Sequence, residues 1–472
     1  MPNVFLGVFF HWLGGLASGS FYVPYRFVRK WSWEVYWLAG GFVSWIIAPW
    51  LLALLLTKSL VPTIAATWAM EPQAVIWSFL FGMMWGVGGL TFGLTMRYLG
   101  MSLGMAVALG YCTVLGSLMP PVFQGTFTTQ ILGTQAGLIN LFGLGICALG
   151  IALAGTAGMS KEREMSDEAK RESIKEFSFT KGIIVATISG VFSAGMAYGM
   201  AAAEPLSYAS KYFGTGEIWT GLPKLCVILL GGFTTNFIWC MFLLLRNGTL
   251  YQFFSRNVRE RDAQGHEAAP VAVNMCWNYF FSALAGLTWY MQFFFYSMGE
   301  TQMGDFKFSS WTLHMASIII FSSLWGIALK EWSGTSRLTK SLLALGIGTL
   351  LYSTLVVGYS NYMNADKATV QTQIVTAGAT IATSDYLKQD VAPSGKDGKQ
   401  ADNVQSEEQK TPPVGFQITA RPLDKAQLTF EEQKIKSDAE GKKAQDDRQA
   451  RWLKQLQEKY PAANRADVNK KD

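Results

Sequence analysis

The chain has 472 residues, of which 50% are apolar, 14% aromatic and only 15% charged, with a formal net charge of +6. This balance excludes an ordinary soluble globular domain and describes a protein solvated by lipid. Nearly half of the charged side chains lie in residues 360–472, so an apolar body is followed by a polar tail.

The body contains ten windows of the roughly 20 apolar residues that a helix needs to cross a hydrocarbon core. None alternates as a barrel strand would, and backbone inside lipid must satisfy its own hydrogen bonds, so each window predicts a helix. The first, residues 3–25, has no Lys or Arg before Arg26 and is too long for a secretory signal. It carries His11, Gly14, Gly15, Ser18 and Tyr22 along one side. Residues 34–57 follow, entered through KWSWE (Lys30–Glu34), whose tryptophans anchor at the membrane interface. Windows three and four are 74–96, with Gly82, Gly86, Gly89 and Gly93 recurring, and 101–123; the fifth is 131–156. A charged linker, KEREMSDEAKRESIKEF (Lys161–Phe177), separates these from windows six, 182–204, and seven, 221–245. Gly195 and Gly199 form a GxxxG pair suited to close helix packing, and Glu204 is the carboxylate nearest the membrane interior. The eighth window, 273–298, places Asn278, Ser282, Trp289, Gln292 and Tyr296 on one helical face, which must turn toward the bundle. The ninth, 309–330, carries Ser310, His314 and Ser317 with Trp311 beside them; KEW (Lys330–Trp332) and the tenth window, 337–358, complete the set.

Loops after odd-numbered windows hold 17 Lys and Arg residues, against four (Lys58, Lys211, Lys224, Lys307) after even-numbered ones. The positive-inside rule therefore predicts that both termini are outside. The linker divides the windows into two groups of five, which must have opposite orientations. GGLASGSFY (Gly14–Tyr22) echoes GVFSAGMAY (Gly190–Tyr198), as expected of inverted repeats in a transporter. The organisation reads as a first five-helix repeat in 1–156, a cytoplasmic linker in 157–181, a second repeat in 182–358 and an extramembrane tail in 359–472.

No HExxH, GxSxG, P-loop or paired-cysteine spacing is present, and Cys112, Cys147, Cys226, Cys240 and Cys276 sit in or at the ends of helices as small apolar residues. Nothing points to an enzyme, a metal, a cofactor or a nucleic-acid partner. The chemistry lies in the polar stripes. An amide such as Gln292 or Asn278 offers a donor and an acceptor together, which suits sugar hydroxyls as well as neighbouring helices. Histidine within a span is a natural proton carrier, since its charge changes near neutral pH. Counted down from the window ends, His314, Gln292 and His11 lie roughly 8–12 Å below the outer surface and can line one outward-facing cavity.

The stretches FYVPYRFVRKWSWE (from Phe21), GLTMRYLGMSLG (from Gly93), FSAGMAYGM (from Phe192), WYMQFFFYSMG (from Trp289), SSWTLHM (from Ser309) and LKEW (from Leu329) occur in order. Together they resemble the bacterial L-rhamnose/proton symporter family of the drug/metabolite transporter superfamily, over roughly residues 3–332. The resemblance implies ten helices in two inverted five-helix repeats, a central cavity, and uptake of L-rhamnose with a proton across the inner membrane. It also implies histidines at His11 and His314 and amides at Asn236, Asn278 and Gln292. Glu204, where the family has a basic residue, and the extension past residue 358 depart from it.

The expectation is an all-α, ten-helix membrane protein acting as a proton-coupled importer of L-rhamnose or a related 6-deoxy sugar. His314 and His11 are the proton-coupling candidates; Gln292, Trp311, Asn278, Asn236, Trp289, Tyr22 and Tyr296 are the sugar-binding candidates. A transporter of another metabolite, or a sugar sensor signalling through the tail, is the alternative. The tail reads as largely disordered, with a charged helix near 429–460 whose Trp452, Leu453 and Leu456 share a side and could meet an envelope partner.

Overall fold

The computed structural model describes residues 3–164, 179–259, 269–304, 307, 309–330, 332–389, 447 and 449–461. All its long elements are helices; the strand pair Asn257–Val258 with Val271–Ala272 joins two loop segments. Eight helical stretches are long and apolar enough to cross a membrane.

The first spans Val4–Tyr25 and comprises α1 (Val4–Ser20) and the short α2 (Tyr22–Tyr25). It begins where the Asn3 side chain accepts a hydrogen bond from the Leu6 amide, satisfying one of the free amides of a helix start. The second comprises α3 (Trp33–Gly41), a π-helical turn (Phe42–Ile47) and α4 (Ala48–Leu56). Pro49 in α4 has no amide hydrogen, and the preceding π turn absorbs the broken register. A short helix, α5 (Leu60–Met70), then lies across one face of the bundle before α6 (Pro72–Phe123).

α6 is helical throughout its 52 residues, where the sequence predicts two spans. A straight helix of that length would reach about 78 Å, far beyond a bilayer. The packing shows a reversal instead: a Cβ on Gly104 would lie 2.9 Å from the Thr95 side chain and 3.2 Å from its carbonyl. Such proximity across nine residues requires the chain to turn back between them. The two arms then flank α8 (Phe179–Ser193), because Gly88 packs against Ser193 while Gly190 packs against Ala108 and Tyr111.

After α7 (Gln135–Glu164) and α8 come α9 (Gly195–Ala202), α10 (Glu204–Tyr212) and α11 (Leu222–Asn247), which ends at Gly248 in the left-handed conformation. α12 (Met275–Thr301) is capped by Asn274, and α13 (Ser309–Ala328) follows. α12 is absent from the eight apolar stretches although its 27 residues suffice to cross. Asn278, Ser282, Gln292 and Glu300 dilute its hydropathy.

α14 starts at Arg337 and continues to Gln389, well past the expected end near residue 358. No proline interrupts it before Pro393. Residues 165–178 of the expected linker, the PSGKDGKQADN stretch, and 429–446 of the expected tail helix lie outside the described residues. Of that tail helix, residues 449–459 (α15) are helical.

The core joins α9, α11, α12 and α13 through Met196, Met200, Leu225, Ile228, Tyr290, Phe293 and Trp311. α1 packs closely against both α12 and α13, and glycines make that approach feasible. A Cβ on Gly14 would sit 2.8 Å from the Gln292 carbonyl, and one on Gly299 would sit 3.0 Å from the Gly7 carbonyl.

Candidate functional site

The close approach of α1 to α12 and α13 brings His11 and His314 against one tyrosine. The Tyr296 ring centre is 5.3 Å from each imidazole, and Trp311 and Phe293 close the group around His314 at 6.1 Å each. Both histidines are fully buried. Neither Nδ1 nor Nε2 of either ring has a hydrogen-bond partner among the described residues. Ser317, the natural candidate to satisfy an imidazole, lies instead 3.0 Å from the His11 carbonyl and 2.7 Å from that of His314. A buried polar group without a partner costs about 1–3 kcal/mol, so two such rings side by side call for a functional reason.

Gln292 lies one turn before Tyr296 on α12 and is 5% exposed. Its amide makes no hydrogen bond to another described residue. Next to it Trp289 is half-buried within an aromatic enclosure: Trp45 at 5.5 Å, Trp85 at 5.4 Å and Phe293 at 5.2 Å. Asn236 on α11 borders the same enclosure, donating to the Gly232 carbonyl (2.9 Å) and accepting from Trp37 Nε1 (3.2 Å). Trp37 reaches Trp45 at 6.0 Å, so aromatic rings run continuously from Trp37 to the histidines. Trp37, Trp45 and Trp85 carry no local sequence signal; they sit among 17 tryptophans, and only the packing singles them out.

Three expected residues are placed differently. Asn278 stands at the opposite end of α12 from Tyr296, about 27 Å away along the helix axis. Its amide is fully engaged, accepting from the Arg29 amide (3.0 Å) and donating to the Arg29 carbonyl (2.9 Å). Tyr22 lies at the far end of the first span, 59% exposed and with its ring centre 4.0 Å from that of Phe21. Trp311 is adjacent to the histidines but wedged, with Nε1 donating to the Cys112 carbonyl (3.0 Å) and its ring against Gly116 and Tyr296. Trp311 is 2% exposed, whereas Trp289 is half-buried.

Charged side chains form a second cluster, beyond the histidines on the face that carries α5 and α10. Lys224, counted as a loop charge from sequence, is 1% exposed and bridges Glu204 (2.5 Å) and Glu300 (3.2 Å). Lys307 pairs with the other oxygen of Glu204 at 2.5 Å. Partial burial opposes the Lys307 charge, but the Glu204 and Glu300 carboxylates outweigh it and raise its pKa. Glu204 is therefore not the sole interior carboxylate: Glu300 is 7% and Glu34 5% exposed. Glu34, in KWSWE, accepts from Asn247 (3.0 Å) and Thr249 (2.7 Å), fastening α3 to the end of α11 through neutral partners.

At the opposite face, Glu164 at the end of α7 accepts from the Ser336 amide and the Ser336 and Thr339 hydroxyls, each at 2.6 Å, and so caps α14. Lys161 lies 4.8 Å over the Trp332 ring.

The L-rhamnose-proton symport protein family matches residues 1–363. An L-rhamnose-proton symporter of Yersinia pestis (strain Pestoides F) is 36% identical over 358 residues, covering 75% of this chain and 97% of the relative. One of Shigella sonnei (strain Ss046) is 36% identical over 355 residues with the same coverage. Residues 364–472, including α15, extend beyond the family match.

Proposed function

Since the chain belongs to the family of L-rhamnose-proton symport proteins, we propose that it imports L-rhamnose, or a close 6-deoxy sugar, together with a proton across the bacterial inner membrane. The observation that carries the proton assignment is the pair of buried imidazoles packed on Tyr296, whose four nitrogens have no hydrogen-bond partner among the described residues. The Gln292 amide supplies a donor and an acceptor to sugar hydroxyls, and Trp289 offers its ring to the methyl-bearing, apolar face of the sugar. Asn236 and Trp37 border that place.

In the cycle, a proton and a sugar enter from outside and one imidazole takes the proton. A second charge on the neighbouring imidazole would be repelled, so one proton accompanies each turnover. The repeats then rock, and both cargoes leave to the cytoplasm. A charge moving through 100 mV yields about 2.3 kcal/mol, enough for roughly 50-fold accumulation.

The rocking bodies are two inverted five-helix repeats, counting the two arms of α6 and α12 among ten spans. Two features support this. α1 packs on α12 and α13, the eighth and ninth spans; α8 packs on the two arms of α6, the third and fourth. The echoing glycine segments, Gly14–Tyr22 and Gly190–Tyr198, lie at these two equivalent contacts. The face with α5, α10, the start of α1 and α15 is the outer one, following the charge bias of the loops.

Uptake of labelled sugars into proteoliposomes under an imposed inward proton gradient tests the reading. L-rhamnose should accumulate and lose accumulation when the gradient is collapsed. Binding without accumulation, or accumulation of an unrelated solute instead, would overturn it.

A further inference from the structure

α15 lies beyond the family match, yet it is seated on the bundle. Trp452 and Leu456, one turn apart, are 8% and 0% exposed. They fill a groove between α5 and α10 floored by Ala66 and Ala209, both fully buried, and walled by Met70, Tyr208, Tyr212 and Phe213. Tyr208 meets Trp452 at 6.2 Å and Phe213 meets Tyr460 at 6.1 Å. The Tyr212 hydroxyl donates to the Tyr460 carbonyl at 3.1 Å, holding the end of the helix. Lys454, Gln455, Gln457, Glu458 and Lys459 stay exposed. The apolar stripe read from sequence as suited to a partner is thus occupied by the chain's own surface.

The groove matters because of what α10 holds at its other end. Its first residue, Glu204, binds both Lys224 and Lys307, and Lys224 also binds Glu300 at the end of α12. Four charges from α10, α11, α12 and the segment before α13 thereby tie these elements together on this face, with Glu300 one turn past Tyr296 on α12. Separating α10 from α12 would break those pairs. A helix clasping α10 to α5 stabilises the arrangement in which the pairs are made, and being covalently tethered it competes as an intramolecular ligand.

We propose that α15 is a built-in regulatory clamp: docked in the α5–α10 groove, it biases the protein toward the state closed on this face, and its release accelerates transport. The inference rests on the transport reading given above, but its test has a readout independent of transport. Cys226, two residues past Lys224 on α11 and fully buried with its thiol 3.6 Å from the Pro49 carbonyl, reports opening through its reaction with a membrane-impermeant maleimide applied to this face, in a background with Cys112, Cys147, Cys240 and Cys276 replaced by Ser.

The double substitution Trp452→Asp, Leu456→Asp and a chain ending after Gln445 should both raise the Cys226 labelling rate and sugar exchange. The rise should be about fivefold or more, within the usual range of allosteric coupling. Conversely, a disulfide formed between Ala209→Cys and Leu456→Cys should slow both below the parent, with reductant restoring them. Unchanged labelling in the double variant and the truncation, with normal membrane abundance, would overturn the clamp and leave α15 a packing element. If no version moves sugar, labelling alone decides: faster labelling upholds the clamp while the transport reading fails.

Discussion

Lys224→Met gives the charge cluster its most quantitative test. The substitution keeps an unbranched side chain one atom shorter but removes the ammonium that sits 2.5 Å from Glu204 and 3.2 Å from Glu300. Glu204 retains Lys307, whereas Glu300, only 7% exposed, loses its cationic partner. Removing one member of a buried ion pair costs about 3–5 kcal/mol, and the surviving Lys307 contact argues for the lower end. When this face opens, the Glu300 carboxylate regains water, so the cost falls on the closed state. A bias of about 3 kcal/mol shifts the open-to-closed ratio by roughly 100-fold. Maleimide labelling of Cys226 should rise accordingly. Adding Glu300→Gln removes the stranded charge and should return labelling most of the way to the parent rate. Labelling unchanged by Lys224→Met in a folded protein, or unaffected by the second substitution, would refute the cluster as the closure of this face.

Gln292→Ala should weaken L-rhamnose binding by about 1–3 kcal/mol, read by scintillation proximity or isothermal titration; unaltered affinity in a folded variant would remove the amide from the sugar site. Asn278→Ala should leave affinity unchanged but lower thermal stability by a similar amount, because the Arg29 amide and carbonyl both lose their partner. Gly299→Ala places a Cβ 2.8 Å from His11 Cε1 and 3.0 Å from the Gly7 carbonyl. Overpacking of this kind costs about 1–3 kcal/mol, so this variant should unfold at lower temperature and lose proton-driven uptake more than Gly89→Ala, where the added methyl meets open space.

The helical body was legible because long apolar runs have one solution in lipid, and the α12 stripe because amides in such a run must turn inward. His11 and His314 were recognisable one by one, but their shared tyrosine depends on α1 and α13 meeting through Gly14 and Gly15, which no local pattern encodes. Lys224 read as a loop charge because it lies at the end of its window; its partners Glu204 and Glu300 are 20 and 76 residues away in sequence. Asn278 shows the converse. It belongs to the predicted stripe, yet a helical face runs the full depth of the bundle, and the residue serves a backbone turn far from the histidines. The seat of α15 was illegible because Ala66 and Ala209 form a groove only once α5 and α10 lie side by side.

The most direct test of proton coupling through the histidine pair is the pH of the medium when sugar is added to energised-depleted cells or vesicles carrying the His11→Gln, His314→Gln double variant. Glutamine keeps a hydrogen-bonding side chain but does not titrate near neutrality. The parent protein should alkalinise the medium on addition of L-rhamnose. In the double variant that signal and uphill uptake should vanish, while exchange of sugar between equally loaded compartments persists. Sugar-induced alkalinisation that survives both substitutions would show that the proton travels by another route and that His11 and His314 serve packing alone.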